Sequence, residues 1–366
     1  MPSADRVAER RLHTQRLTGR PFATAVDAVR WLVGVQSQDF PGAKWALGLR
    51  TRNVTDVDID ALYDAGTILR THVMRPTWHF VLPDDIRWLL DLTAARVKAR
   101  VAPYDRRLEI DEALLTRCRD AIEAALRDGV NLTRTELSGV LERAGIPAKG
   151  QRLNHIMVYV ELDGVIVSGP RRGKQLTYAL LDERAPGARR LPRDEALAEL
   201  TLRYFTGHGP AQPQDFAWWS GLTVADAKRG LELAGSALVR EDIGGRPHWS
   251  SPDVPPPPRA RGPIVHLLPN YDELLIAYRD RSASIDPERE LDLAPFPFGS
   301  ILAHIVVVNG IVWGGWKRRP NGRGAIVELG PLGDLDDAHA AALDRAAADL
   351  ERFLGAPVTI ARGVSP

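Results

Sequence analysis

Three times within its first 250 residues, this chain passes through helix-period segments and closes on two short β-type runs. In the first pass, TAVDAVRWLVGV and IDALYDAG carry helical spacing, and ILRTHV and TWHFVL flank a Met74-Arg75-Pro76 turn. In the second, LLTRCRDAIEAAL, TRTELSGVLERAG and KGQRLNHIMVYVELDG lead into the hairpin GVIVSGPRRGKQLTYAL. In the third, EALAELTLRYFTGHGP, PQDFAWWSG and TVADAKRGLELAG lead into ALVREDIGGRPHWS, which turns at Gly244-Gly245. Thr133, with Glu136 three residues on, and Thr223 are expected helix N-caps, because a Thr hydroxyl can accept from the orphan N–H groups of a first turn. Helix-turn-helix followed by a β wing is the winged-helix pattern. Three in series exceed chance, although they are not a clean sequence repeat.

Four consecutive prolines, Pro255 to Pro258, then form a stiff extended linker. Beyond them PIVHLLP, LLIAYRD, ILAHIVVVNG, GIVWGGWKRR and GAIVELG read as strands. DLDDAHAAALDRAAADLERFLG reads as an amphipathic helix and PVTIARG as a last strand. The expected fold is α+β: three tandem winged-helix units at about 1–100, 101–190 and 191–250, a Pro-rich linker at 251–262, and a C-terminal antiparallel-sheet α+β domain at 263–366.

Composition narrows the chemistry. With 44% apolar residues over 366 positions the chain can build ordinary cores. No apolar run is long enough to span a bilayer, and MPSADRVAERRLHTQRL lacks a signal core, so a cytoplasmic, nucleoid-associated protein is expected. The single cysteine, Cys118, leaves no disulfide framework and no Cys-rich zinc site. No HExxH or Cys/His pattern occurs, so neither a metal nor a cofactor is expected. Gly-x-Ser-x-Gly is absent too. A net charge of +1 argues against a histone-like protein but leaves room for a localised DNA face. Only six of the 48 basic residues are Lys, so Arg is abundant everywhere and only clustered Arg is informative.

Two clusters stand out on projecting β-turns. One holds Arg171, Arg172 and Lys174; the other holds Trp316, Lys317, Arg318, Arg319 and Arg323 around Pro320-Asn321-Gly322. Either could track phosphates, and Trp316 could stack or wedge. The alternative is a solvated turn with its tryptophans in the core.

The chemistry-bearing stretch is Gln36-Ser37-Gln38-Asp39, set after an apolar helical segment and before Pro41-Gly42. Pro41 biases Phe40 toward extended geometry, so the helix should end near here. In an extended segment residues i and i+2 point the same way, so both amides could hold one water or one sugar oxygen. The competing reading is helix capping or plain solvent exposure.

Taken with RTHVMRPTWHFVLPDD about thirty residues later, the motif closely resembles the AlkZ-type winged-helix DNA glycosylases over essentially the whole chain. That family carries Gln-x-Gln or Gln-x-Asp at this place; Ser37 departs from it, standing where an apolar residue is expected. The resemblance implies Gln36 and Gln38 as the catalytic pair. Beside it, Asp39 is adjacent and could help electrostatically or simply start the turn. Arg75 and His79 are further supporting candidates, with a purely structural histidine as the alternative for His79. It implies double-stranded DNA carrying bulky N7-alkylguanine or an interstrand cross-link as partner, an open channel between the winged helices, and monofunctional hydrolysis by a monomer. Self-resistance to a DNA-alkylating natural product is one setting for such an enzyme.

The residue types agree with that substrate. Glycoside hydrolysis normally wants two carboxylates, and glutamine has no usable proton-transfer pKa. A base that already carries positive charge leaves without protonation, so oriented amide dipoles that position water and stabilise an oxocarbenium-like sugar are sufficient. A winged-helix regulator without enzymatic activity is the rival reading, and a small-molecule hydrolase a weaker one. Release of modified base from alkylated DNA separates them.

Overall fold

The computed structural model describes residues 5–258, 261–288, 302–322, 324–330, 332 and 335–361. The first segment runs α1 (Asp5–Thr14), α2 (Ala25–Leu32), β1 (Val35–Gln36), α3 (Phe40–Gly48), α4 (Asp56–Asp64), β2 (Leu69–His72) and β3 (Trp78–Val81). Its three strands form an antiparallel sheet in the order β1-β3-β2.

The second segment repeats the plan with α5 (Pro83–Val101), α6 (Asp105–Leu108), α7 (Glu112–Leu126), β4 (Leu132–Thr133), α8 (Arg134–Arg143), α9 (Gly150–Leu162), β5 (Ile166–Arg172) and β6 (Gln175–Leu180), its sheet ordered β4-β6-β5. The third has α10 (Leu181–Arg184), α11 (Arg193–His208), α12 (Pro213–Ser220), α13 (Val224–Ala234) and the hairpin β7 (Val239–Ile243) and β8 (Arg246–Ser250). Thr133 and Thr223 both cap as expected, each in a reciprocal box with the acid three residues on.

After the proline run come β9 (Val265–Leu268), α14 (Glu273–Ile276), β10 (Ile305–Val308), β11 (Ile311–Asn321), β12 (Gly324–Leu329), α15 (Asp337–Leu354) and β13 (Val358–Ala361). The sheet order is β13-β12-β11-β10-β9, antiparallel throughout except that β13 joins β12 in parallel. The expected strand at LLIAYRD is instead the short helix α14, started by the Asp272 side chain accepting from Leu274 N–H. Leu274 to Tyr278 are all buried, and a continuous apolar run has no period to separate strand from helix.

The cores cut across chain order. The second segment has its own, around Cys118, Ile122, Leu137, Ile156 and Val160. The first segment shares one core with the C-terminal sheet and α15, where Val29, Leu32 and Trp45 meet Leu267, Val327 and Phe353. The first hairpin and α5 share another with the third segment, joining Val73, Met74 and Trp88 to Tyr204, Phe216 and Trp219. Gly221 marks how close that approach is: at φ 73° it lies against the Met74 carbonyl, and a Cβ there would sit 1.9 Å from that oxygen. Strand β1 therefore lies where the first segment, the third segment and the C-terminal sheet meet.

Candidate active site

The Gln motif occupies the short extended link between α2 and α3. Helix α2 ends at Leu32, with Val33 at φ 66° turning the chain out of the helix. Gln36 then pairs with His79 across β1 and β3, and Ser37 N–H donates to Trp78 O at 2.7 Å. The extended stretch is one residue shorter than Pro41 suggested. Phe40 already opens α3 with Pro41 in its first turn, where the missing N–H costs nothing. Asp39 is the N-cap, its Oδ1 accepting from Gly42 N–H at 3.2 Å.

Gln36 is 5% exposed and held at both ends. Its backbone N–H donates to Glu273 Oε1 at 3.2 Å. Its Oε1 accepts from Arg75 Nη2 at 2.8 Å. A guanidinium can only donate, so the atom facing Arg75 must be the amide oxygen, and the NH2 group is the end left to donate elsewhere. Arg75 is itself buried, with Nη1 donating to Ile276 O at 3.3 Å and Nη2 lying 3.4 Å from His79 Nε2. His79 Nδ1 is 3.0 Å from Thr77 O, which fixes the proton on Nδ1 and leaves Nε2 as an acceptor toward Arg75. Burial, then the Arg75 charge, push the His79 pKa well below the usual imidazole value, so the ring is neutral. Burial likewise lowers the Arg75 guanidinium to about 10, still cationic at neutral pH, with Glu273 opposing the shift.

No motif in the sequence singles out Glu273. It is fully buried, and Oε2 accepts from Trp219 Nε1 at 2.9 Å while His208 Nε2 stands 3.3 Å away. Its neighbour Asp272 takes a bidentate pair of 2.8 Å bonds from the fully buried Arg50, which also reaches Gln15 Oε1 at 2.9 Å. This anchor holds α14 against β1. Arg70, also buried, steadies the motif from the other side: Nε donates to Ser37 O at 3.1 Å and the guanidinium lies 4.3 Å from the Trp78 ring centroid. The only sequence signal for these residues is an acidic pair beside an apolar run, in NYDELLIAY.

Gln38 differs from Gln36. It is exposed at the bend before α3 and makes no side-chain hydrogen bond among the described residues. Ser37, between them, is fully buried with its Oγ unpartnered, consistent with a position suited to an apolar side chain. Asp39 remains partly open: Oδ2 accepts from Asn270 Nδ2 at 3.0 Å and lies 3.8 Å from His304 Nε2. A cavity of about 420 Å³ opens here, lined by Asp39, Gly42, His304 and the hairpin residues Lys317, Arg318 and Arg319.

The two basic hairpins fare differently. Arg171 is drawn into the fold, its guanidinium bonded to Asp60 at 2.6 Å and Asp64 at 2.8 Å on α4, and so unavailable to a groove. Arg172 pairs with Glu136 at 2.8 Å, and Lys174 is exposed. On β11, Trp316 is 2% exposed with Nε1 donating to Leu268 O at 2.8 Å. It is a core residue and does not project as a stacking wedge. Alternation puts Trp316 and Arg318 on one face of β11, but Trp316 lies where that face is covered, while Arg318 and Arg319 run on past the cover. Arg318 and Arg319 are exposed, Arg319 with a 3.0 Å pair to Glu328. Arg323 lies outside the described residues.

Among the described residues no helix is long and apolar enough to cross a membrane. A family model described as "DNA glycosylase AlkZ-like" matches residues 29–353. An interstrand DNA cross-link repair glycosylase from Streptomyces sahachiroi is 23% identical over 325 residues, covering 84% of this chain and 85% of that protein. The solved structure of the S. sahachiroi DNA glycosylase AlkZ superposes with a TM-score of 0.77 at 22% identity, covering 98% of this chain and 99% of the other.

Proposed function

The chain belongs to the AlkZ-like DNA glycosylase family, and from that premise we propose that it hydrolyses the N-glycosidic bond of bulky N7-alkylguanine adducts and unhooks interstrand cross-links, leaving an abasic site without strand cleavage. The observation that carries this reading is the locked amide of Gln36. With its oxygen committed to Arg75, Gln36 works as a fixed donor. A fixed N–H dipole can hold a water or sugar oxygen through the reaction without reorganising, which is where such groups lower a barrier. Gln38, exposed one bend later, supplies the adaptable second amide. Neither can protonate a leaving group, and a base already made cationic by alkylation needs no such help.

The hairpin arginines Arg318 and Arg319, with Lys317, border the cavity that opens at Asp39, the residue after Gln38, and are suited to the flanking phosphates. A cross-linked base is tied to the opposite strand and cannot be flipped freely into a closed pocket. A shallow site at the meeting of three segments suits it better.

The test is incubation of the full-length protein with a duplex carrying N7-methylguanine, followed by assay for free base and for alkali-labile sites. Free base and nicks that appear only after alkali are expected. Gln36→Ala and Gln38→Ala should each lose on the order of 10²-fold in single-turnover rate with DNA affinity largely kept. Gln38→Asp should retain appreciable activity, since a carboxylate can also orient water. Undiminished excision by the double Ala variant would move the active site elsewhere. Binding without base release would return the protein to the regulator reading.

A further inference from the structure

Hydrolysis of a cationic N7-alkylguanine nucleoside has a proton left over. The C1′–N9 bond breaks with its electron pair going to the base, which departs neutral. The water oxygen bonds C1′, and one of the water's protons must then be taken up. Gln36 cannot take it, because an amide is not basic in this range and its oxygen is occupied by Arg75. His79 and Glu273 are fully buried and already bonded to Arg75, Gln36 and Trp219. Resting on the glycosylase reading above, we propose that Asp39 and His304 together form the proton acceptor for the attacking water. Asp39 directly follows Gln38, and its Oδ2 lies 3.8 Å from His304 Nε2 across the mouth of the 420 Å³ cavity. At that separation the two side chains do not bond each other directly, and both face the same cavity.

Three elements converge to build the pair. Asp39 is fixed at the start of α3 by Gly42 N–H, and Asn270, just past β9, donates to its Oδ2 at 3.0 Å. His304 directly precedes β10 and stands edge-on to the Trp316 ring, centroids 4.8 Å apart. Both Asp39 and His304 stay about a quarter exposed, unlike the groups behind the motif. The other charged and titratable groups facing the pair are Arg318, Lys317 and Arg319 from β11 and Tyr271 behind Asp39. Burial, then the Arg318 charge, lower the His304 pKa while Asp39 opposes the shift, so the imidazole is neutral at neutral pH and free to accept.

The experiment is single-turnover excision of N7-methylguanine from duplex DNA by the full chain, between pH about 5 and about 8, where an imidazole changes charge. The wild-type rate should fall at the acid end as His304 becomes protonated. His304→Gln should remove that acid limb and lower the plateau. Asp39→Asn keeps the helix cap, since Asn caps as well as Asp. It should lower the plateau by on the order of 10²-fold and move the limb to lower pH, because the carboxylate no longer favours the protonated ring. If both variants keep the wild-type rate and pH profile while Gln36→Ala does not, the pair only caps and packs, and this inference fails alone. If wild-type protein binds the duplex and releases no base, the glycosylase reading fails and takes this one with it.

Discussion

The two sides of the Gln motif are built on opposite principles. Behind it, Arg75, His79, Glu273 and Trp219 are buried and bonded to one another and to Gln36, although Arg75 Nε has no partner. In front of it, Asp39, His304, Arg318 and Arg319 are partly or fully exposed and border a cavity. Each bond broken in such a buried network orphans a polar group, which then carries its full desolvation cost. The rear side therefore fixes geometry and should answer to mutation as a folding problem. Groups in front can titrate and meet salt, and should answer as chemistry and binding.

The sharpest break would come from Arg75→Ala. It strands Gln36 Oε1 and His79 Nε2, leaves the Ile276 carbonyl with Trp218 Nε1 alone, and removes the positive charge beside Glu273. Removing one partner of a buried charge network typically costs about 3–5 kcal/mol, so the urea midpoint should drop steeply. A midpoint like that of the wild type would mean the rear network is not structural.

Gln36→Glu separates holding from donating. The carboxylate keeps the bond to Arg75 but lacks the NH2 group. The variant should stay folded and bind duplex, yet lose on the order of 10²-fold in single-turnover excision. Retained excision would show that Gln36 serves only as a strut.

On the front side, replacing Lys317, Arg318 and Arg319 by Ala should leave the urea midpoint near wild type and weaken DNA binding roughly tenfold at moderate salt. The slope of log affinity against log salt should shrink by about 0.9 for each phosphate that is no longer neutralised. An unchanged slope would class this hairpin with the Arg171 hairpin, whose first arginine is consumed by Asp60 and Asp64.

Gly42→Ala probes the front more gently. A Cβ there would lie 2.7 Å from Asp39 Oδ2 and 3.2 Å from Pro269 Cβ, in a helical turn that otherwise accepts Ala readily. Displacing the carboxylate should slow excision about fivefold, well within what a small misplacement can cost. The disturbed Asp39 cap and the better helix propensity of Ala, each worth about 1 kcal/mol, should offset to leave the urea midpoint near wild type. Equal rates would show that Asp39 can shift without consequence.

The smallest effect belongs to the seam between the two sides. Ser37→Ala removes a buried hydroxyl with no partner, and should raise stability by up to about 1 kcal/mol in denaturant melts. A clear loss would reveal a partner for that hydroxyl.

What is legible in the sequence is local. Thr133 and Thr223 announce their helices because a cap and its box lie within four residues of each other. The three helix-then-hairpin passes are readable from periodicity and turn residues, and the extended Gln motif from the helix that precedes it. The run around Leu274 reads as a strand yet folds as a helix, because every residue in it is buried and the period is erased.

Everything that assigns roles is decided by partners remote in sequence. Gln36 meets Glu273 across 237 positions, and Asp39 meets Asn270 across 231. Arg171 and Arg318 look alike in a sequence, but one folds back onto α4 and the other overlooks a cavity. Side-chain chemistry and short-range spacing fix which groups a chain can offer. Which of them are satisfied, buried or left open depends on what the tertiary fold packs against each one, and no local pattern encodes that.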